Sequence, residues 1–224
     1  MKPISYDNEF FDAGRQYFEH GLPAWKEFVL NDLNAHSIAD FGCGQGDWLE
    51  PFVGIIPVWG CDGFANEDHL RIPKEDFRKI DIGRVKPSEL DVGKCDVVMS
   101  LEAMEHVEAK LESNFMDCML SPDPRLVVFG VASGWGTYDP TKTKTNRLGE
   151  LIPGGPDWHA QWGRHHVNCQ PVAVVMEKMK RRGYVMDENL TVKFGTMRVL
   201  STKGRSKMAF ASFYRKNTVV YRKA

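Results

Sequence analysis

Along this chain of 224 residues the spacing of apolar positions switches between helical and strand-like periods, and each switch marks an element. Aromatic residues crowd the first stretch (Tyr6, Phe10, Phe11, Tyr17, Phe18), and Trp25, Phe28, Val29 and Leu33 then recur at helical spacing behind Pro23. This predicts a helical cap over residues 1–36, ending in a helix from Pro23 to about Ala35. Short apolar runs follow at 37–41, 57–61, 77–80, 96–100 and 125–132, and each predicts a strand. The last of them, RLVVFGVA, is nearly continuous, as in a parallel sheet covered on both faces. Helices are expected from near Asp47, through Val107, Leu111, Phe115 and Met119, and after Pro171 through Val172, Val175, Met176 and Met179. Lys180, Arg181 and Arg182 suit the negative end of that last helix, and Gly183 can cap it. Two closing strands are expected at 184–193 and 207–221. Alternation early and a strand pair at the end predict an α/β doubly wound domain spanning residues 1–224. Residues 133–169, polar and rich in aromatics (Trp135, Tyr138, Trp158, Trp162), read as a substrate loop or lid.

Composition narrows the function classes. With 29 basic and 30 acidic residues there is no whole-domain basic field for nucleic acid. The local clusters Lys142, Lys144, Arg147 and Lys203, Arg205, Lys207 read as solvated loop faces. Five cysteines without a CxxC pair are expected to be reduced and mostly buried, forming neither a disulfide frame nor a zinc knuckle. The start, MKPISYDNEFF, lacks the apolar run of a signal peptide, and no apolar stretch reaches membrane-spanning length. A cytoplasmic protein is expected.

Chemistry concentrates first in Asp40-Phe41-Gly42-Cys43-Gly44-Gln45-Gly46, between a strand and an expected helix. Glycines permit a tight turn there and allow backbone N–H groups to approach a ligand. Asp40 precedes them, Asp62 (followed by Gly63) ends the next strand where a carboxylate can accept both hydroxyls of a ribose, and Asp81 with Ile82 suits the edge and face of an adenine. A dinucleotide fingerprint fails, because position 47 is Asp. IADFGCGQG, VWGCD, KIDI and DVVMSLEAMEHV resemble, in order, the motifs of class I S-adenosylmethionine (SAM)-dependent methyltransferases. The resemblance implies a Rossmann-like seven-stranded sheet of order 3-2-1-4-5-7-6 with the last strand antiparallel. It also implies that Asp40, Gly42, Cys43 and Gly44 line the methionine part of SAM, that Asp62 and Gly63 hold the ribose, and that Asp81 and Ile82 meet the adenine. Ser100 and Leu101 would pass beneath the sulfonium.

Methyl transfer is an in-line displacement, hence a positioning task, and a hydroxyl acceptor needs a base or a metal ion to take its proton. Glu102, Glu105 and His106 have spacings that put them close together at a helix start. Arg164-His165-His166-Val167-Asn168 closes the long loop, and both clusters belong near the carboxyl ends of strands. The pair resembles the small-RNA 3'-terminal 2'-O-methyltransferases, whose ExxEH and later histidine bind a divalent cation. That implies Glu102, Glu105, His106 and His166 as ligands for an ion such as Mg²⁺ or Mn²⁺. Alternatively His165 or His166 acts as a metal-free base, or Glu105 caps and His106 packs. The loop tryptophans suit sugar faces as well as bases, and the compact build resembles glycan-modifying methyltransferases. The expected activity is O-methylation of a sugar hydroxyl in a glycan or glycosylated metabolite. RNA ribose 2'-O-methylation, a phenolic or carboxylate acceptor, and a SAM-binding partner subunit without activity are the alternatives.

Overall fold

The computed structural model describes residues 8–132, 143–145, 151–153, 167–200, 206–210 and 212–224. Seven strands make one sheet: β1 (Ile38–Phe41), β2 (Val58–Asp62), β3 (Phe77–Lys79), β4 (Val97–Leu101), β5 (Leu126–Gly130), β6 (Tyr184–Met186) and β7 (Thr218–Lys223), numbered by their order in the chain. Their spatial order is 3-2-1-4-5-7-6. Strands β1 to β5 run parallel, and β7 is antiparallel to both β5 and β6. The expected doubly wound topology and its reversed last strand are both present.

Alternation along the strands sorts side chains into two cores, one per face. Ile38, Val97, Met99, Leu126, Val128 and Val220 share one with Trp25, Phe28, Phe52 and Phe194. Ala39, Phe41, Val98, Val127, Phe129 and Tyr221 share the other with Phe115, Met119, Val175 and Tyr184. Because β1, β4 and β5 are covered on both sides, almost every position in them must be apolar. Asp40 and Ser100 break that rule, and both stand toward the carboxyl ends of their strands, where the first expected site lies.

Helices α1 (Asn8–Arg15) and α2 (Leu22–Glu27) begin the described chain, and α2 continues as a wider turn over Phe28–Asp32. Trp25 is fully buried, stands edge-on to Trp48, Phe52 and Phe194, and donates its indole N–H to the Trp48 carbonyl at 3.0 Å. Helix α3 (Glu112–Leu120) carries Phe115 and Met119 inward as expected but starts later than expected, with Val107 and Leu111 in the turns before it, and α4 (Val172–Arg181) carries Val175 and Met179 inward. Gly183 follows α4 at φ +82°, the left-handed conformation a helix end favours.

Three local expectations fail. No α-helix starts at Asp47: the chain turns from Gly44 to Leu49 and forms one tight turn at Glu50–Phe52. Pro51 has no N–H for a helical bond, and Gly54 at φ +75° turns the chain away. The strand expected at 184–193 stops at Met186, because the Asp187 side chain accepts the Leu190 N–H at 3.0 Å and caps α5 (Glu188–Thr196). The strand expected at 207–221 is two strand pieces separated by α6 (Ser212–Asn217): Ser206–Met208 pairs with Arg198–Leu200 in a hairpin, and β7 enters the main sheet. Within the long loop, Thr143–Thr145 and Leu151–Pro153 form a second hairpin, and most of the loop, with its aromatics, lies outside the described residues. Among the described residues no helix is long and apolar enough to cross a membrane. Trp25→Ala should cost about 3–5 kcal/mol of stability, read from urea denaturation monitored by circular dichroism.

Candidate active site

Parallel register sets the site. Asp40 pairs with Gly60 and Phe41 with Cys61, so the turns after β1 and β2 leave the sheet side by side. Gly42, Gly44 and Gly46 all have positive φ (+85°, +55° and +88°), which side chains rarely tolerate. A Cβ at Gly42 would lie 2.4 Å from the Ala103 methyl, so only glycine lets this turn touch the segment after β4. Expectation and structure differ on the donors. Gly42 and Cys43 both give their N–H to the Cys61 carbonyl (2.8 and 3.0 Å), Gly44 gives its own to Asp62 Oδ2 (3.0 Å), and Gly46 to Cys43 (2.9 Å). Three of these amides hold the turn onto β2 and the fourth closes the turn on itself, so the glycines contribute close approach rather than free donors.

Asp62 is the hub of that turn. Besides Gly44, it accepts N–H bonds from Phe64 (2.7 Å) and Ala65 (2.9 Å) on Oδ1. Burial pushes its carboxyl above the usual range, and the three N–H bonds pull it back. Asp40 has no such compensation. It is buried, its Oδ1 has no hydrogen-bond partner, and desolvation together with the neighbouring Asp62 charge raises its pKa well above normal. Burial also raises the Cys43 thiol, so it stays protonated inside the turn. Gly63 follows Asp62 without positive φ and with room for a Cβ.

The adenine-side pair separates by exposure. Asp81 lies exposed after β3, bonded to the Gly83 N–H (3.2 Å) and Arg84 (3.1 Å), while Ile82 is buried. Ser100 and Leu101 are both buried at the end of β4, and Ser100 Oγ donates to the Phe41 carbonyl at 2.7 Å. Ser100 thus braces β4 against β1.

The ExxEH segment is not an α-helix. Glu102 has φ +55°, and Met104–His106 is a single tight turn. That geometry separates what helical spacing would gather: among the described residues no three His, Cys, Asp or Glu side chains are grouped to hold a metal ion. What it does gather is a carboxyl pair. Glu105 is fully buried with neither oxygen in a hydrogen bond of good geometry, and Glu102 lies against it, half-buried, with Asn217 Nδ2 at 3.4 Å from its Oε1. Desolvation raises both pKa values, and the charge of Glu102 raises Glu105 further. His106 is half-buried, and its backbone N–H bonds the Ala103 carbonyl. His165 and His166 lie outside the described residues. Val167 and Asn168, which follow them in sequence, donate their N–H groups to the Glu105 carbonyl at 2.8 and 3.0 Å. Buried Asn168 and Gln170 are held in turn by Glu112, which also pairs with Lys178. The end of the loop, at Val167 and Asn168, is therefore fastened to the ExxEH segment.

Neither a protein-family model nor a curated protein sequence matches the chain. Solved structures do. The sugar N-methyltransferase KedS8 from Streptoalloteichus aligns over 100% of this chain and 95% of its own, at TM-score 0.56 and 12% identity. DhpI, in complex with S-adenosylhomocysteine (SAH), aligns over 96% and 90% at TM-score 0.53 and 15% identity. Magnesium protoporphyrin IX methyltransferase ChlM from Synechocystis, with bound SAH, aligns over 100% and 90% at TM-score 0.52 and 16% identity. The chain has the class I methyltransferase fold.

On that methyltransferase fold, several residues near the site carried no signal in the sequence. Tyr214 and Asn217 come from α6, a segment whose alternation reads as strand. Tyr214 is buried against Phe18 and Trp48, and desolvation and then the charges of Glu102 and Glu105 raise its hydroxyl pKa well above normal. Phe11 and Arg15 come from α1 and reach the glycine turn from outside the motifs. The Asp40 environment yields a pH prediction. Its folded pKa is above the unfolded one, so it stabilises the protonated folded form below about pH 4, and stability falls as pH rises through the folded pKa. Asp40→Asn should therefore be more stable than the wild type at neutral pH without ligand, with the difference shrinking toward pH 4. Urea midpoints across that range are the measurement, and parallel curves for the two proteins would contradict it.

Proposed function

We propose that this protein is a SAM-dependent O-methyltransferase that methylates a sugar hydroxyl of a glycan or glycosylated metabolite. The observation that carries the donor assignment is the unpartnered, buried Asp40 oxygen beneath a glycine turn fastened by Asp62. A buried carboxylate oxygen without a partner is costly, and an ammonium group such as that of the methionine part of SAM would supply what it lacks. The carboxylate of Asp62 keeps lone pairs for ribose hydroxyls beyond its three N–H bonds. Asp81 and Ile82 offer an exposed acceptor beside a buried apolar side chain, matched to adenine. KedS8 and ChlM, named as methyltransferases, share this fold with DhpI, and DhpI and ChlM hold SAH.

When bound, SAM supplies a methyl group on a sulfonium. The chain's own task is to orient the acceptor hydroxyl in line and take its proton as the new C–O bond forms and the C–S bond breaks. Half-buried Glu102, beside buried Glu105, has its pKa pushed up to about 7 by desolvation, so it is more basic than an ordinary carboxylate yet still ionised in part and can accept that proton. With the amide of Asn217, the two form a lining of acceptors and a donor suited to neighbouring hydroxyls. His165 or His166 is a second candidate base, on the motif whose following residues bond Glu105. Of the expected metal ligands, His166 lies outside the described residues, and Glu102 and Glu105 would be the carboxylates to hold a divalent ion, which would acidify the acceptor hydroxyl.

Asp62→Ala should abolish SAM binding in titration calorimetry, and unchanged affinity would remove the donor assignment. Glu105→Ala combined with His166→Ala should still bind SAM yet lose SAH production with every acceptor the wild type uses. A screen of mono- and oligosaccharides against RNA, with and without EDTA, tests acceptor class and metal dependence together. Turnover on RNA and none on sugars would overturn the sugar reading.

A further inference from the structure

We infer that α1 belongs to the cofactor site: Phe11 covers the glycine turn, and Arg15 and Asp12 strap the helix shut through Asp47 and Arg71, so that the donor product leaves only when the strap opens. This rests on the SAM reading above. Phe11 lies directly over Gly44, where an added Cβ would be 2.9 Å from its Cε1 and 3.0 Å from its Cδ1. The ring therefore packs on the very turn that the donor must approach.

The helix is fastened by charges. One Arg15 nitrogen bonds Asp47 Oδ1, another reaches Glu50 at 2.8 Å, and Arg71 Nε reaches the same Asp47 oxygen at 2.9 Å. Arg71 also reaches back to Asp12 on α1 at 3.2 Å, and its backbone N–H bonds the Gln45 carbonyl inside the turn at 2.8 Å. Asp47 is only 6% exposed, so two guanidinium groups converge on a carboxylate with little water to replace them. Asp12 and Arg15, one turn apart on the helix, thus grip Asp47 and Arg71 from one face. Such a link is strong enough to hold a short helix closed and weak enough to open on the timescale of ligand release. The outer link, between Arg71 and exposed Asp12, is open to solvent and responds to ionic strength.

The test uses the whole chain with SAH as the probe, in titration calorimetry and in stopped-flow displacement of SAH by excess SAM. Phe11→Ala and Arg15→Gln should each release SAH about tenfold faster than the wild type, with Arg15→Lys between the wild type and Arg15→Gln. Salt should speed release from the wild type more than from Arg15→Gln, which keeps only the Arg71 pairs with Asp12 and Asp47. Unchanged release rates in both variants overturn the strap. Tighter binding by Phe11→Ala overturns it as well, because the ring would then be occupying the donor's place. Failure of the wild type to bind SAH removes the donor reading and with it the role of α1, whereas binding with unaltered release removes that role alone.

Discussion

The carboxylate of Asp62, at the end of β2, joins two loops that would otherwise be independent. One oxygen accepts the Gly44 N–H from the turn after β1, and the other accepts Phe64 and Ala65 from its own. The turn then curls tightly enough for Gly42 to meet Ala103, which brings the segment after β4 into the same place. Three strand ends thereby converge through one half-buried acid and one missing side chain. Parallel pairing alone aligns the strands but leaves the loops beyond them unspecified.

That convergence gathers acids that the protein's stability would prefer apart. Asp40, Asp62, Glu102 and Glu105 are all held above their usual pKa by burial, and Asp40 and Glu105 have oxygens with no partner. A fold selected only for stability would put apolar groups there, because an unsatisfied buried oxygen costs about 1–3 kcal/mol. Asp47, by contrast, is buried and paired with two arginines. Asp40 and Glu105, which lack such partners, stand where a cationic, hydroxyl-rich donor and a hydroxyl acceptor are proposed to bind.

The elements around the sheet serve the same end. Helix α1 lies on the glycine turn, α6 brings Tyr214 and Asn217 to the carboxyl pair, and the Glu112–Lys178 pair fixes the loop's return beside Glu105. Each reaches the site from a distant part of the chain, across spans of 32 to 115 residues for the Arg15–Asp47 and Glu102–Asn217 contacts.

By itself, the sequence determined the sheet, its strand order through a motif resemblance, and the positions of the candidate donor residues. These follow from local rules: apolar period, glycines where φ must be positive, and acids at strand ends. It misread 184–193 and 207–221, because LTVKF and the alternating run before Tyr221 satisfy a strand period that the Asp187 cap and the packing of Tyr214 override. Only the tertiary structure decided that the turn's amides face β2, that Glu102 takes a left-handed backbone and pairs with Glu105 instead of joining His106, and that Phe11 covers Gly44. Those outcomes depend on contacts between residues far apart in the chain, where spacing along the sequence carries no information about distance in space.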